Sequence, residues 1–118
     1  MISMREAYEI IGADYDGASV RLMGQETLAR FALKFLDNES MDKLEAAMAA
    51  GDAKEAFMAV HTLKGVSQNL GFDNLYEPAV VVTEALRGAD TVDDAREGMH
   101  ALQQQYAATM SALREAAE

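Results

Sequence analysis

Residues 52–71 read DAKEAFMAVHTLKGVSQNLG, and this stretch predicts the central helix of the fold. Asp52, followed three residues later by Glu55, is a typical helix start, and Gly71 is a typical helix end. On a helical wheel that advances about 100° per residue, the small and apolar side chains cluster opposite His61; they are Ala56, Ala59, Leu63, Val66, Ser67 and Leu70. The stretch therefore predicts a helix that ends at Leu70 or Gly71, with a core face and an opposite face that carries His61.

Helix signals of the same kind occur along the rest of the chain, and together with the central helix they predict six helices. Ser3 and Glu6 suggest a capping box for a short first helix that ends at Gly12, and residues 13–17 are expected to form a loop. We expect a helix over about 18–36, with a break near Gly24, and another from Ser40 to Gly51. A further helix should run from Asp73 or Asn74 to near Gly88, with Pro78 close to its start. The last helix should cover about 92–116 and be opened by Thr91 and Asp94.

Composition favours an all-α fold. Half of the residues are apolar, and the residues that lose least on entering a helix dominate, while only one proline is present. Short connections between substantial helices leave consecutive helices antiparallel. We therefore predict an up-down four-helix bundle with an additional short N-terminal helix, built as a single domain over residues 1–118.

Charge and cysteine content restrict the possible partners. The formal net charge is −10, so a nucleic acid would be repelled over most of the surface. The chain has no cysteine, which excludes disulfides and thiol catalysis, and its N-terminus lacks the features of a signal peptide. No apolar run approaches the length of a membrane span. We expect a cytoplasmic monomer that binds neither nucleic acid nor membrane.

The face of the central helix that carries His61 has an unusual mixture of residues. Side chains within about 60° of His61 on the wheel are Lys54, Phe57, Met58, Lys64, Gly65 and Gln68. A glycine in mid-helix costs roughly 0.5–1 kcal/mol relative to alanine, so Gly65 indicates close approach of another molecule. Phe57 and Met58 are interpreted as outward-facing docking residues. Lys64 is either an ordinary solvated cation or a group that holds negative charge beside the imidazole.

Neutral imidazole is a competent nucleophile near neutral pH, because its ordinary pKa is about 6.5. The sequence contains no Gly-rich phosphate loop, no Walker motif and no carboxylate set for Mg²⁺. The chain is therefore not expected to bind and cleave a nucleotide by itself. If His61 accepts a phosphoryl group, a partner must supply it.

The segment HTLKGVSQNLGF, residues 61–72, resembles the motif of histidine-containing phosphotransfer (HPt) domains. His61, Lys64 and Gly65 match its core, and Leu63, Leu70 and Gly71 match its apolar and helix-end positions. Upstream, residues 14–38 look like the family's first bundle helix and its lead-in, so the resemblance is strongest over residues 14–90.

The resemblance implies a carrier in bacterial two-component signalling, without kinase or ATPase activity and without a cofactor or metal of its own. His61 would accept a phosphoryl group from the aspartyl phosphate of a receiver domain, in a response regulator or a hybrid sensor kinase, and pass it to another receiver. The receiver would hold the Mg²⁺. Lys64 would neutralise phosphoryl charge and Gly65 would admit the receiver. Many members orient the imidazole with a polar side chain, often glutamine, from the next helix. Here the candidates are Thr83 and Glu84, or Gln68 on the same helix.

Two other interpretations remain open. A non-catalytic adaptor of the same descent would dock receivers without carrying phosphate, and the absence of the usual amide near Thr83 favours it. A metal enzyme would combine His61, His100 and carboxylates, but a di-metal bundle site uses two Glu-x-x-His sets. Only Glu97 with His100 makes one such set. His100, without a neighbouring Lys or Gly in matching places, is interpreted as a surface or helix-seam residue.

Overall fold

A computed structural model describes residues 1–117, and over these residues the chain forms seven α-helices and no strand. The α-helices are α1 Met4–Ile11, α2 Tyr15–Arg21, α3 Gln25–Lys34, α4 Ser40–Ala50, α5 Ala53–Asn69, α6 Asp73–Leu86 and α7 Arg96–Ala117. Single turns of 3₁₀ helix lie at Phe35–Asp37 and Asp93–Ala95. The prediction of an all-α chain is confirmed.

The helices form an up-down bundle in which α5 and α6 are central. Helix α5 packs against both α4 and α6, and α6 packs against α7. Helix α7 also lies alongside α4, where Gln103 Nε2 donates to Glu45 Oε2 at 3.0 Å, and its Tyr106 ring lies 6.1 Å from that of Phe35, just after α3. Helices α4 to α7 thus form the four arms of the bundle, and the short helices α1, α2 and α3 precede them.

Several predicted boundaries need correction. Residues 13–17 are not all loop, because the Asp14 carboxylate caps α2, which begins at Tyr15. The expected break near Gly24 is present, with φ of 129° at Gly24 and 63° at Met23. Ser40 is not an N-cap: it is the first residue of α4, and its N–H donates to Asn38 Oδ1.

The last helix also begins later than predicted. Thr91 Oγ1 accepts a long hydrogen bond of 3.4 Å from the N–H of Asp93, which opens a 3₁₀ turn instead of α7. Helix α7 then starts at Arg96. Pro78 is the sixth residue of α6, so it lies in the second turn, and its missing N–H removes one intrahelical bond to the carbonyl of Asn74.

The N-terminal helices fix the end of α5. The hydroxyl of the fully buried Tyr8 donates to the carbonyl of Leu70 at 2.7 Å, and the N–H of Asp14 donates to the carbonyl of Gly71 at 2.8 Å. The Arg21 guanidinium donates to the carbonyls of Gln68 and Asn69. Within residues 1–117 the carbonyls of Asn69 and Leu70 have no other partner, whereas those of Gln68 and Gly71 also accept hydrogen bonds from the backbone. A cation at this end also complements the helix dipole. The C-terminal end of α5 is therefore bound to the N-terminal helices.

Candidate functional site: the exposed face of α5

Helix α5 is amphipathic, as predicted. It begins where the Asp52 carboxylate accepts a hydrogen bond from the N–H of Glu55 at 3.1 Å. Its buried side chains are Ala53, Ala56, Ala59, Val60, Leu63 and Ser67. Val66 is only half-buried, and Val60 joins the core stripe although the wheel places it nearer the edge. Burial of this stripe leaves His61 on the solvent side of the bundle.

His61 is exposed, and its imidazole stacks on the ring of Phe57, one helical turn earlier. The ring centroids are 5.8 Å apart and the ring planes differ by 15°. Within residues 1–117 neither ring nitrogen makes a hydrogen bond to the protein. A nitrogen of this imidazole is therefore accessible to a partner.

Gly65 lies one turn after His61 and exposes its backbone. It is helical, and a Cβ built on it would meet no atom within 4 Å. Together with Gln68, Asn69 and Arg21 it lines a shallow cleft beside the His61 face. A partner can approach the helix backbone at this point more closely than at any residue with a side chain.

Lys64 is half-buried on the same side of α5. The pKa of the Glu84 carboxyl on α6 is lowered chiefly by its hydrogen bonds to Arg87 and by the Arg87 charge, and the Lys64 charge adds a smaller lowering effect. The Arg87 charge is offset by its pairing with Glu84, so Lys64 is a cation that gives the surroundings of His61 local positive charge on a chain whose net charge is −10.

Arg87 connects Glu84 to the Phe57 ring. Its guanidinium donates to both carboxylate oxygens of Glu84, at 3.1 and 3.3 Å, and its central carbon lies 5.3 Å from the Phe57 ring centroid. The sequence interpretation overlooked Arg87. The spacing of three residues after Glu84 was the available signal, since residues so spaced on a helix can pair.

The three candidates for orienting His61 lie in different places. Thr83 is fully buried, and its hydroxyl donates to the carbonyl of Ala79 at 2.7 Å, so its hydrogen is not available to the imidazole. Glu84 pairs with Arg87. Gln68 is exposed, and its backbone carbonyl accepts from Arg21 and from the N–H of Gly71, while its side chain makes no hydrogen bond within residues 1–117. Within the described chain none of the three hydrogen-bonds to His61, so the expected polar contact is not seen.

The two candidate docking residues also differ. Met58 is 58% exposed, in agreement with an outward-facing position, and lines a groove between α4 and α5 with Thr62 and several alanines. Phe57 is half-buried and packs against the core, so it is less outward-facing than the wheel indicated. Its ring belongs to the surroundings of His61 as much as to the surface.

His100 lies on a different part of the molecule. It is exposed on α7 in a groove that it shares with Glu45, Arg96 and Gln103. In the part of the chain that the structure describes, no group of three or more His, Cys, Asp or Glu side chains is placed to hold a metal ion. No helix within residues 1–117 is long and apolar enough to cross a lipid bilayer.

Comparison with known families identifies the family to which the chain belongs. The family model described as "Hpt domain" matches residues 21–116, which include the whole of α5 and nearly all of α7. The match reaches further toward the C-terminus than the resemblance seen in the sequence, and it begins after residues 14–20. Comparisons with curated proteins and with solved structures give no match. The chain belongs to the Hpt domain family, whose members carry phosphoryl groups in two-component signalling and are not kinases.

Proposed function

We propose that this protein is a phosphorelay intermediate that accepts a phosphoryl group on His61 from one receiver domain and passes it to another. The observation that carries the proposal is the arrangement on α5: an exposed imidazole, a lysine three residues later and an open glycine backbone beside it. An accessible nitrogen and space for a partner are what phosphoryl transfer between proteins requires.

The reaction is a displacement at phosphorus. The lone pair of an imidazole nitrogen forms an N–P bond while the acyl P–O bond of the aspartyl phosphate breaks and leaves a carboxylate on the receiver. Transfer to the second receiver is the reverse, with its aspartate as the nucleophile. No oxidant, reductant or nucleotide is needed. Lys64 would stabilise the phosphoryl charge, as preorganised cations do in such transition states.

The Mg²⁺ that assists this chemistry would be held by the receiver. Its ligands are oxygen atoms, mainly from carboxylates and phosphates, and no suitable cluster of side chains gathers within residues 1–117 of this chain. This chain would contribute the nucleophile, Lys64 and the docking surface around Gly65 and Met58. We propose that it acts as a monomer in the bacterial cytoplasm, since one copy presents the complete face.

The test is incubation with a panel of receiver domains carrying labelled aspartyl phosphate. We expect label that is acid-labile and alkali-stable on the wild-type protein, no label on His61→Gln, and unchanged labelling of His100→Gln. Circular dichroism confirms that both variants are folded. Label that persists in His61→Gln, or that disappears only in His100→Gln, would show that His61 is not the phosphorylated residue.

A non-catalytic adaptor is the second candidate, and one observation favours it. Thr83 is engaged with Ala79, and no polar side chain in the described residues holds the imidazole. An adaptor would bind receivers without becoming labelled. Titration of the wild-type protein with an unphosphorylated receiver, alongside the labelling experiment, separates the two functions: binding with no label from any receiver indicates the adaptor.

A further inference from the structure

The imidazole of His61 has no hydrogen-bonding partner in residues 1–117, but it stacks on the ring of Phe57. Phe57 precedes it by four residues, the spacing at which side chains on one helix face meet. The two rings are nearly parallel, with an interplanar angle of 15° and a centroid separation of 5.8 Å. This is the offset-stacked arrangement that aromatic rings favour.

The Phe57 ring is itself held in place. It is half-buried and packs against the hydrophobic core, so the core side chains restrict its χ angles. The Arg87 guanidinium lies 5.3 Å from its centroid, within the range of a cation–π contact. The guanidinium in turn donates two hydrogen bonds to Glu84, and both side chains of this pair are more than half exposed. Arg87, directly after the end of α6, thereby contacts a ring on α5, and that ring contacts His61.

We infer that Phe57, packed against the core and in contact with Arg87, is a positioning residue that orients the imidazole of His61 for phosphoryl transfer by ring stacking. The inference rests on the proposed function. Phe57 would touch neither the phosphoryl group nor the reacting nitrogen; it would act by limiting the orientations that His61 occupies.

The size of the effect follows from the rotamers of histidine. In a helix χ1 has about two accessible wells, and χ2 is roughly two-fold, which gives about four orientations. If stacking selects the productive one, loss of the ring lowers the productive fraction by up to about fourfold. We therefore expect the transfer rate at saturating receiver to fall by up to about fourfold in Phe57→Leu, while the receiver concentration that gives half-maximal rate changes little.

Three variants test this inference. Phe57→Leu keeps an apolar side chain on the core but removes the ring, and Phe57→Tyr keeps the ring and should restore the wild-type rate. Phe31→Leu is the matched control, since Phe31 is 43% exposed and has a Lys34 ammonium 5.8 Å from its ring, but no histidine is stacked on it. Thermal unfolding identifies any variant that fails to fold.

A spectroscopic readout reports the stack without any receiver. Ring current from Phe57 should displace the ring-proton resonances of His61 in the wild-type protein and in Phe57→Tyr, but not in Phe57→Leu. His100, which stacks on no ring within residues 1–117, gives the reference resonances.

The outcomes separate this inference from the proposed function. A folded Phe57→Leu protein that transfers at the wild-type rate overturns the positioning role, as does a rate loss that Phe57→Tyr does not restore. A change confined to the half-saturating receiver concentration would make Phe57 a docking residue instead. If the wild-type protein takes no label from any receiver while its ring-current shift is present, the relay proposal fails and the positioning role falls with it.

Discussion

Replacement of Gly65 by alanine should stabilise the fold, because the site is helical and empty. Gly65 lies inside α5, and an added Cβ would have no neighbour within 4 Å. Alanine is favoured over glycine in a helix interior by roughly 0.5–1 kcal/mol, chiefly because glycine loses more backbone entropy on folding. With no clash to offset this gain, Gly65→Ala should raise the free energy of unfolding by about that amount.

Thermal unfolding followed by circular dichroism measures the gain. An unfolding entropy of about 2.1 cal/mol/K per residue corresponds to about 0.25 kcal/mol/K for the 118-residue chain. The midpoint should therefore rise by about 2–4 °C. Gly98→Ala in α7 is the matched control, because its Cβ would lie 3.2 Å from Val82 Cγ2 and 3.4 Å from Val81 Cγ1. Helix–helix contact there should cancel much of the gain.

The larger change Gly65→Leu separates stability from function. The new side chain would point into solvent beside His61, so the bundle should remain folded. If a receiver approaches the α5 backbone at Gly65, however, the leucine would displace the aspartyl phosphate, and a misplacement of about 1 Å can cost on the order of 100-fold in rate. Gln104→Leu adds the same side chain at an exposed position of α7 and should transfer normally. A destabilised Gly65→Leu bundle would make Gly65 structural, and a stable one with normal transfer would place docking elsewhere.

Three further substitutions test the charge at the site and the support of α5. Lys64→Ala should slow transfer or shorten the lifetime of phosphorylated His61 while changing the free energy of unfolding by less than about 0.5 kcal/mol; unchanged kinetics would make Lys64 an ordinary surface cation. Tyr8→Phe should cost about 1–3 kcal/mol, because the buried carbonyl of Leu70 loses its donor. Burial raises the pKa of the Tyr8 hydroxyl, so the folded state retains that proton more strongly than the unfolded chain. Wild-type stability should therefore fall as the pH rises above about 10, and denaturant unfolding at alkaline pH should show a smaller loss in Tyr8→Phe. Arg21→Gln should lower the free energy of unfolding by about 0.5–1 kcal/mol through loss of its bonds at the end of α5; an unchanged melting midpoint would contradict a bracing role.

Local signals predicted the helices well where capping depended on near neighbours in the chain. The Ser3 and Glu6 capping box and the Asp52 cap are both present. Ser40 failed as a cap because the backbone enters α4 one residue earlier and Asn38 accepts its N–H instead. The late start of α7 has a similar origin, since a 3₁₀ turn intervenes. The starts of α4 and α7 depend on the backbone conformation of the preceding loops, which residue type alone does not predict.

The exposed position of His61 followed from helical periodicity, because burial of the opposite stripe determines which side faces solvent. Periodicity could not show what the imidazole contacts. The approach of Arg87 to Phe57 depends on how α6 packs against α5, and the stack of Phe57 on His61 depends on side-chain rotamers. The hydrogen bond from Thr83 to the carbonyl of Ala79 joins residues four apart on one helix, but the burial of Thr83, which keeps its hydroxyl away from His61, depends on helix packing.

One face of α5 packs into the core and stabilises the bundle, and the opposite face exposes His61. Leu63 is fully buried between neighbouring helices, so its truncation would cost about 2–5 kcal/mol and would affect every property of the protein. His61 and Gly65 lie on the solvent side, and the bond from the fully buried Tyr8 holds the end of the helix from the core. Substitutions on the exposed face can therefore change phosphotransfer in a bundle that remains folded. This separation allows the loss of a reacting group to be distinguished from the loss of the structure that presents it.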